Sequence, residues 1–237
     1  FIDVLPSASL NFTLSEVQQV RLSASRTLAR PEYRELSPIL NRDVLGGQGF
    51  VGDTALVRSL INNYDLRWEW YPHPGELVSI ALFAKHYDKP IERVEVPTSG
   101  TLVLSYINAK AAENYGVEIE LRKDLGNVVE FLSPFTVFGN LTLMRSEIRL
   151  GETGLASPTN PNRPLAGQAP YVVNAGLTYS SEDGRLSATA LYNRVGKRIS
   201  AAGPSPLPDV YEMPRDVIDV SLRVPLLEML DAKLDMR

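Results

Sequence analysis

Hydrophobic and polar residues alternate along this chain with a period of two. In residues 61–86, INNYDLRWEWYPHPGELVSIALFAKH, the apolar and aromatic Tyr64, Leu66, Trp68 and Trp70 interleave with Asn63, Asp65, Arg67 and Glu69. The alternation breaks at Pro72–Glu76 and resumes with Val78, Ile80, Leu82 and Ala84 on one side. Period two describes an extended strand whose two faces meet different surroundings. Here one face is apolar and the other fully charged. The pattern recurs along the chain and predicts ten strands: Val4–Thr13, Gln18–Leu28, Ile61–Tyr71, Leu77–Tyr87, Thr101–Arg122, Phe135–Arg149, Tyr171–Ser180, Arg185–Lys197, Arg215–Val224 and Ala232–Arg237. The fifth span is long for one strand and is expected to break near Ala109–Asn114. Its second half sets Tyr115, Val117, Ile119 and Leu121 against Glu118, Glu120 and Arg122.

The connections fall into two alternating classes. Ser15–Glu16, Pro72–Glu76 and Ser181–Gly184 are tight, whereas Arg30–Leu60, Lys89–Gly100, Gly151–Pro170 and Ser200–Pro214 are long. One end of the sheet therefore carries turns and the other carries loops. Short turns at one end, long loops at the other and strands near ten residues are the marks of an outer-membrane β-barrel wall. Two links fit less simply. Lys123–Pro134 lies on the turn side, with Val128–Leu132 expected to extend the strands. In Pro225–Asp231, the residues LLEML are expected to form a helical turn. Trp68, Trp70 and Tyr71 sit beside a tight turn, where an aromatic girdle is expected. A soluble β-sandwich also alternates in this way and stays open as a reading. No repeat of fixed period argues for a propeller.

Composition narrows the function more than the fold. A net charge of −4 over 237 residues leaves no basic footprint for nucleic acid. The absence of Cys removes thiolate catalysis and thiolate metal sites. His73 and His86 are the only histidines, and strand geometry keeps them too far apart to share a metal. No catalytic constellation, metal site or cofactor is expected, and the chain is not expected to be an enzyme. Glu118 with Glu120, and Asp65 with Arg67 and Glu69, read as the polar lining of a barrel lumen, together with Arg122. Tyr64, Leu66, Trp68 and Trp70 read as its lipid-facing side. The glycine-rich Gly46–Gly49 lacks the lysine and helix of a phosphate cradle and reads as loop. The chain opens on Phe1 with neither Met nor a signal peptide, so a piece or a processed chain is expected.

Four segments carry a family likeness. Ser25–Pro38 (SRTLARPEYRELSP) resembles the place where a barrel strand of TonB-dependent receptors runs into an extracellular loop. Gly52–Val94 resembles the loop return, strand, periplasmic turn and strand that follow. Glu113–Leu125 (ENYGVEIELRKDL) resembles a descending strand, and Arg163–Tyr179 (RPLAGQAPYVVNAGLTY) the segment that re-enters the membrane. The resemblance implies that residues 1–237 are part of a barrel of about 22 strands, roughly its twelfth to twenty-first strands. It also implies a lumen plug and a TonB-binding segment, neither of which is visible here.

By the same resemblance the function is active uptake of a scarce nutrient (siderophore, vitamin, glycan or peptide) across the bacterial outer membrane. The partners implied are outer-membrane lipid, TonB acting through the plug, and further outer-membrane or periplasmic proteins. A passive porin, a barrel enzyme and a soluble β-rich binding module remain as alternatives. Ligand contacts are expected on the long loops, with Arg34, Glu35, Arg42 and Arg163 as polar anchors. If the apolar faces meet lipid, Leu66→Arg should cost about 2–4 kcal/mol of barrel stability. A change at Arg67 should be far milder, and denaturant titration of the refolded protein compares the two.

Overall fold

The computed structural model of the chain describes residues 3–42, 49–97, 102–151, 159–227 and 230–237. Ten strands follow one another in a single antiparallel meander, each hydrogen-bonded to the next. They are β1 (Ser7–Ser15), β2 (Gln18–Ala29), β3 (Ser59–Trp70), β4 (Leu77–Asp88), β5 (Ala111–Asp124), β6 (Phe135–Arg149), β7 (Tyr171–Ser180), β8 (Ser187–Val195), β9 (Arg215–Leu227) and β10 (Leu230–Met236). The sheet is open, with β1 and β10 at its edges.

Small departures from the expected spans have local causes. β1 begins after Pro6, which has no N–H to give to a ladder; its carbonyl still accepts from Arg26 N at 2.9 Å. The fifth span breaks at Ala109–Lys110, and its first half, Leu102–Asn108, joins a separate small sheet. Val128–Leu132 does not extend the strands. Two 3-10 turns, Leu125–Asn127 and Glu130–Leu132, occupy that link, started by the Asp124 carboxylate accepting from Gly126 N at 3.0 Å. The centre of LLEML, Glu228 and Met229, where a helical turn was expected, lies outside the described residues. β9 runs through Leu227 and β10 resumes at Leu230, with Leu227 opposite Leu230. Pro225 is tolerated because β8 pairs β9 only as far as Arg223, so its missing N–H breaks no ladder on that side.

Register turns the alternation into two continuous surfaces. Leu22, Leu66, Leu82, Val117 and Leu143 stand opposite one another across five strands. They share a face with Tyr64, Trp68 and Trp70, and Trp68 donates its indole N–H to Gln18 Oε1 at 3.3 Å. Leu66, Leu82 and Leu143 are 43%, 52% and 44% exposed, so no described residue covers this face. The opposite face is cross-linked by polar side chains. Arg67 donates to Glu69 at 2.7 Å and to Glu120 at 2.8 Å. It reaches Glu120 across β4, where the facing residues are the small Ser79 and Ala81. Asn193 donates to Asn174 at 2.6 Å, and Asn174 to Asn140 at 2.7 Å, a ladder across three strands.

Two glycines on the polar face lie under aromatic rings. A side chain on Gly116 would strike the Phe83 ring and the Leu143 carbonyl, and one on Gly176 would strike the Phe138 ring. Each phenylalanine stands directly opposite its glycine on the neighbouring strand. The ring fills the space that the missing side chain leaves.

The network around Arg67 changes one expectation. Glu69 is only 5% exposed, and losing Arg67 would strip its best donor and cost about 1–3 kcal/mol. Asp65, on the same face and half-buried, is the proper mild comparison for Leu66→Arg.

At the turn end, Glu76 is 2% exposed and ties two turns together. It accepts from Lys123 at 2.9 Å and Asn127 at 2.9 Å, and meets His73 Nδ1 at 3.1 Å. Burial pushes its carboxyl up, but the hydrogen bonds from Asn127, Lys123 and His73 outweigh this and hold it at about 2. The folded value lies below that of an unfolded carboxylate. The clamp's stabilisation is therefore complete above the ordinary carboxylate range and is lost as pH falls through about 2. Glu76→Ala should destabilise the wall by about 3 kcal/mol near neutral pH. Glu76→Gln should flatten the acid limb of the stability–pH curve, as read by denaturant titration from pH 7 down to 2.

Candidate ligand-binding surface of the loop end

The loop end carries a second layer of structure over the polar face. Ile91–Pro97 and Leu102–Asn108 form a hairpin, and Gly49–Phe50 adds to it in parallel beside Leu102–Asn108. A two-stranded piece, Arg198–Ala201 with Val210–Glu212, lies beyond. The Lys89–Gly100 connection, expected to be plain loop, thus contains a strand. IERVEVP and TLVLSYIN carried the signal: two short β-branched runs on either side of a Thr-Ser-Gly break. Val94, Ile107, Ala109, Ala112, Ile148, Leu150 and Ala202 pack into one buried cluster between this layer and the wall.

The four loop residues proposed as ligand anchors do not converge. Arg34 and Glu35 lie in the short helix Tyr33–Leu36. The Arg34 guanidinium sits 4.6 Å over the Phe50 ring, which meets Tyr106 edge-on at 5.4 Å. The Glu35 carboxylate accepts from Glu32 N at 2.9 Å and so caps its own helix. Burial, with Glu35 nearby, raises the Tyr106 phenol above its ordinary value. Arg42 is exposed, one residue past the bridge between Asn41 and Phe50. These three stand around the Gly49–Phe50 edge of the small sheet. Gly49 itself is described, but the rest of the glycine-rich run, Gly46–Gln48, lies outside the described residues.

Arg163 is at the other edge of that sheet. It was expected as a ligand anchor on a long loop, yet its side chain is only 3% exposed. It pairs opposite Ile148 at the top of β6. Its Nη1 donates to Glu92 Oε1 at 2.9 Å and to the Pro164 carbonyl at 3.0 Å. Glu92 also accepts from Ala166 N at 2.9 Å. Glu92 was missed in the sequence because its strand was read as loop. This buried pair fastens the hairpin to the wall. Below the hairpin, on the polar face, is a cleft of about 600 Å³ bordered by Ile61, Tyr87, Glu92, Met144 and Gln168. Its walls are mostly apolar, with a few polar groups among them.

Asp65, Arg67, Glu69, Glu118, Glu120 and Arg122 all lie on the polar face of the wall, and Arg67, Glu69 and Glu120 are joined directly. Among the described residues no group of three or more His, Asp or Glu side chains is placed to hold a metal ion. His86 faces Glu113 at 3.8 Å, on the apolar-face side at the loop end.

Comparison with known proteins decides what this wall is. The family described as "TonB dependent receptor-like, beta-barrel" matches residues 3–223. The chain belongs to the TonB-dependent receptor β-barrel family. The family is one of Gram-negative outer-membrane receptors and transporters, not of enzymes. Comparison with curated protein sequences gives no match. Among solved structures, the ferric enterobactin receptor PfeA of Pseudomonas aeruginosa superimposes with a TM-score of 0.63 at 18% identity, over 96% of this chain and 33% of that one. The siderophore receptor PirA of the same organism gives 0.60 at 21%, over 97% and 34%. The ferric-catecholate import receptor Fiu of Escherichia coli gives 0.64 at 16%, over 97% and 29%. Identities this low speak for the fold. The chain spans about a third of the length of these receptors.

The Arg163–Glu92 pair yields a direct test. Glu92→Gln leaves a buried guanidinium without its counter-charge, at a cost of about 3–5 kcal/mol. That exceeds what most local docking contacts supply. The hairpin should come off the wall while the ten-strand sheet persists. Hydrogen exchange should rise in residues 91–108 and stay unchanged in β2–β5. The double change Glu92→Leu with Arg163→Met should restore protection.

Proposed function

We propose that this chain forms part of the barrel of an outer-membrane receptor that takes up a scarce nutrient with energy from TonB. The observation that carries the reading is the uncovered apolar face. Five strands present aligned leucine and valine to the outside while the opposite face is hydrogen-bonded and charged, the arrangement a membrane barrel requires. On this reading Tyr64, Leu66, Trp68 and Trp70 meet lipid. Asp65, Arg67, Glu69, Glu118, Glu120 and Arg122 line the lumen. The loop end is extracellular. The edges β1 and β10 pair with further strands, since lipid leaves no backbone group unpaired, and a plug fills the lumen. Ferric siderophores are the first nutrient class to test, because similar solved structures include the ferric enterobactin receptor with enterobactin bound. Loops held on a rigid wall are where selection concentrates.

The test uses the full-length protein in its host. Deleting residues 30–60 or 151–170 should lower binding of ferric catecholate by at least about tenfold while the barrel still assembles. Import should stop when TonB is removed or the proton gradient is collapsed. Import that continues at full rate without either would place the protein among passive porins. Binding that survives both deletions would move selection to the plug or to other loops.

A further inference from the structure

The link between β5 and β6 is unlike the tight turns that share its end of the wall. Pro72–Glu76 and Ser181–Gly184 contain no Val, Leu, Ile or Phe, whereas residues 125–133 read LGNVVEFLS. Phe131 is 85% exposed, Val128 65% and Val129 50%, so the described residues leave most of their surface bare. The backbone of the link is meanwhile closed on itself. Val128 N and Val129 N donate to the Leu125 carbonyl at 3.0 and 2.9 Å, Leu132 N to Val129 at 2.8 Å and Ser133 N to Glu130 at 3.0 Å. Two short turns thus satisfy their own amides while holding apolar side chains outward.

Register tells on which side of the rim the link hangs. Lys123 is the last β5 residue on the apolar face, two places after Leu121 and opposite Val137 of β6. Its ammonium and the Asn127 amide meet on the Glu76 carboxylate, each at 2.9 Å. The start of the link is therefore fastened toward the apolar side of the wall. Val78, two places after Glu76, lies on that same face, opposite Leu121 and Trp70. The chain also leaves the link on this face: Phe135 stands opposite Tyr179, and their rings meet at 5.3 Å.

We propose that the link is a membrane anchor, with Phe131, Val128 and Val129 entering the lipid boundary at the turn end. The assignment rests on the membrane reading above. Lipid is the occupant for two reasons. The bare side chains continue the uncovered apolar face through Phe135 and Tyr179, and a lumen plug would meet the opposite face. The self-paired amides also let the link leave water at little cost, since unpaired backbone groups are what lipid excludes. Apolar side chains on an otherwise polar segment place it in the interface, not across the membrane. Glu130, the one carboxylate among residues 125–133, is exposed and stays with the headgroups.

The full-length protein in lipid bilayers tests this. Nitroxide labels are placed by Phe131→Cys in the link, Leu66→Cys on the apolar face and Glu182→Cys on the polar turn, with labelled wild type as the blank. Their collisions with oxygen, which concentrates in lipid, are compared with those of a water-soluble nickel chelate. The label at 131 should meet more oxygen and less nickel than the label at 182, and lie shallower than the label at 66. A label at 131 that meets nickel as freely as the one at 182 overturns the anchor. So does one shielded from both, which would reveal a protein cover, either plug or periplasmic partner. A label at 66 that meets nickel as freely as the one at 182 overturns the membrane reading itself. Stability gives a second readout. Because Phe131 packs so little within the chain, Phe131→Ser should shift the folding equilibrium in bilayers about tenfold toward the unfolded state, and Glu182→Ser should not. An equilibrium unmoved by Phe131→Ser overturns the anchor.

Discussion

The structure depends on one constraint: every backbone donor and acceptor in the wall must find its partner on a neighbouring strand. The meander meets it for the inner strands β2 to β9, each paired antiparallel on both sides, and leaves only the outer sides of the edge strands β1 and β10 open. Once the ladder is fixed, the rest follows from pleating. Successive side chains point to opposite faces, so a period-two sequence becomes two unlike surfaces. A one-residue slip in any pair would send leucines into the charged face and Arg67 into the apolar one. The turns and loops then separate to opposite ends because each strand reverses the last.

The two ends and the two faces are held by different physics. The polar face uses side-chain hydrogen bonds between strands, as in the asparagine ladder of β6, β7 and β8. These add little individually but fix register. The turn end relies on one buried carboxylate, Glu76, gathering three donors from two turns. The loop end combines an apolar cluster with the Arg163–Glu92 pair. Such a pair is worth less as net stability than as a means of fixing where the hairpin sits.

Much of the wall was legible in the sequence because period two is a local signal. β4, β6, β7 and β9 begin where the alternation placed them, and the break in the fifth span falls at Ala109–Lys110. Short or interrupted runs were less legible. VVEFL has the composition of a strand, but Asp124 and Gly126 start a 3-10 turn first. IERVEVP was hidden because a strand of seven residues inside a loop offers too few alternations to stand out. The loop residues were hardest. Nothing local to Arg163 reports that Glu92, 71 positions away, will bury it. Arg34 and Glu35 were singled out as charges, whereas one stacks on Phe50 and the other caps its own helix.

The phenylalanine–glycine pairs carry a consequence of another kind. Phe83 over Gly116 and Phe138 over Gly176 are each a single packing unit split between two strands. Neither member can be exchanged alone: a larger residue at the glycine displaces the ring, and a smaller one at the phenylalanine bares backbone on the polar face. Across relatives, positions 83 and 116 should therefore be inherited as a pair, and so should 138 and 176. Such a signal would report strand neighbours and register even in receptors whose loops share nothing with these.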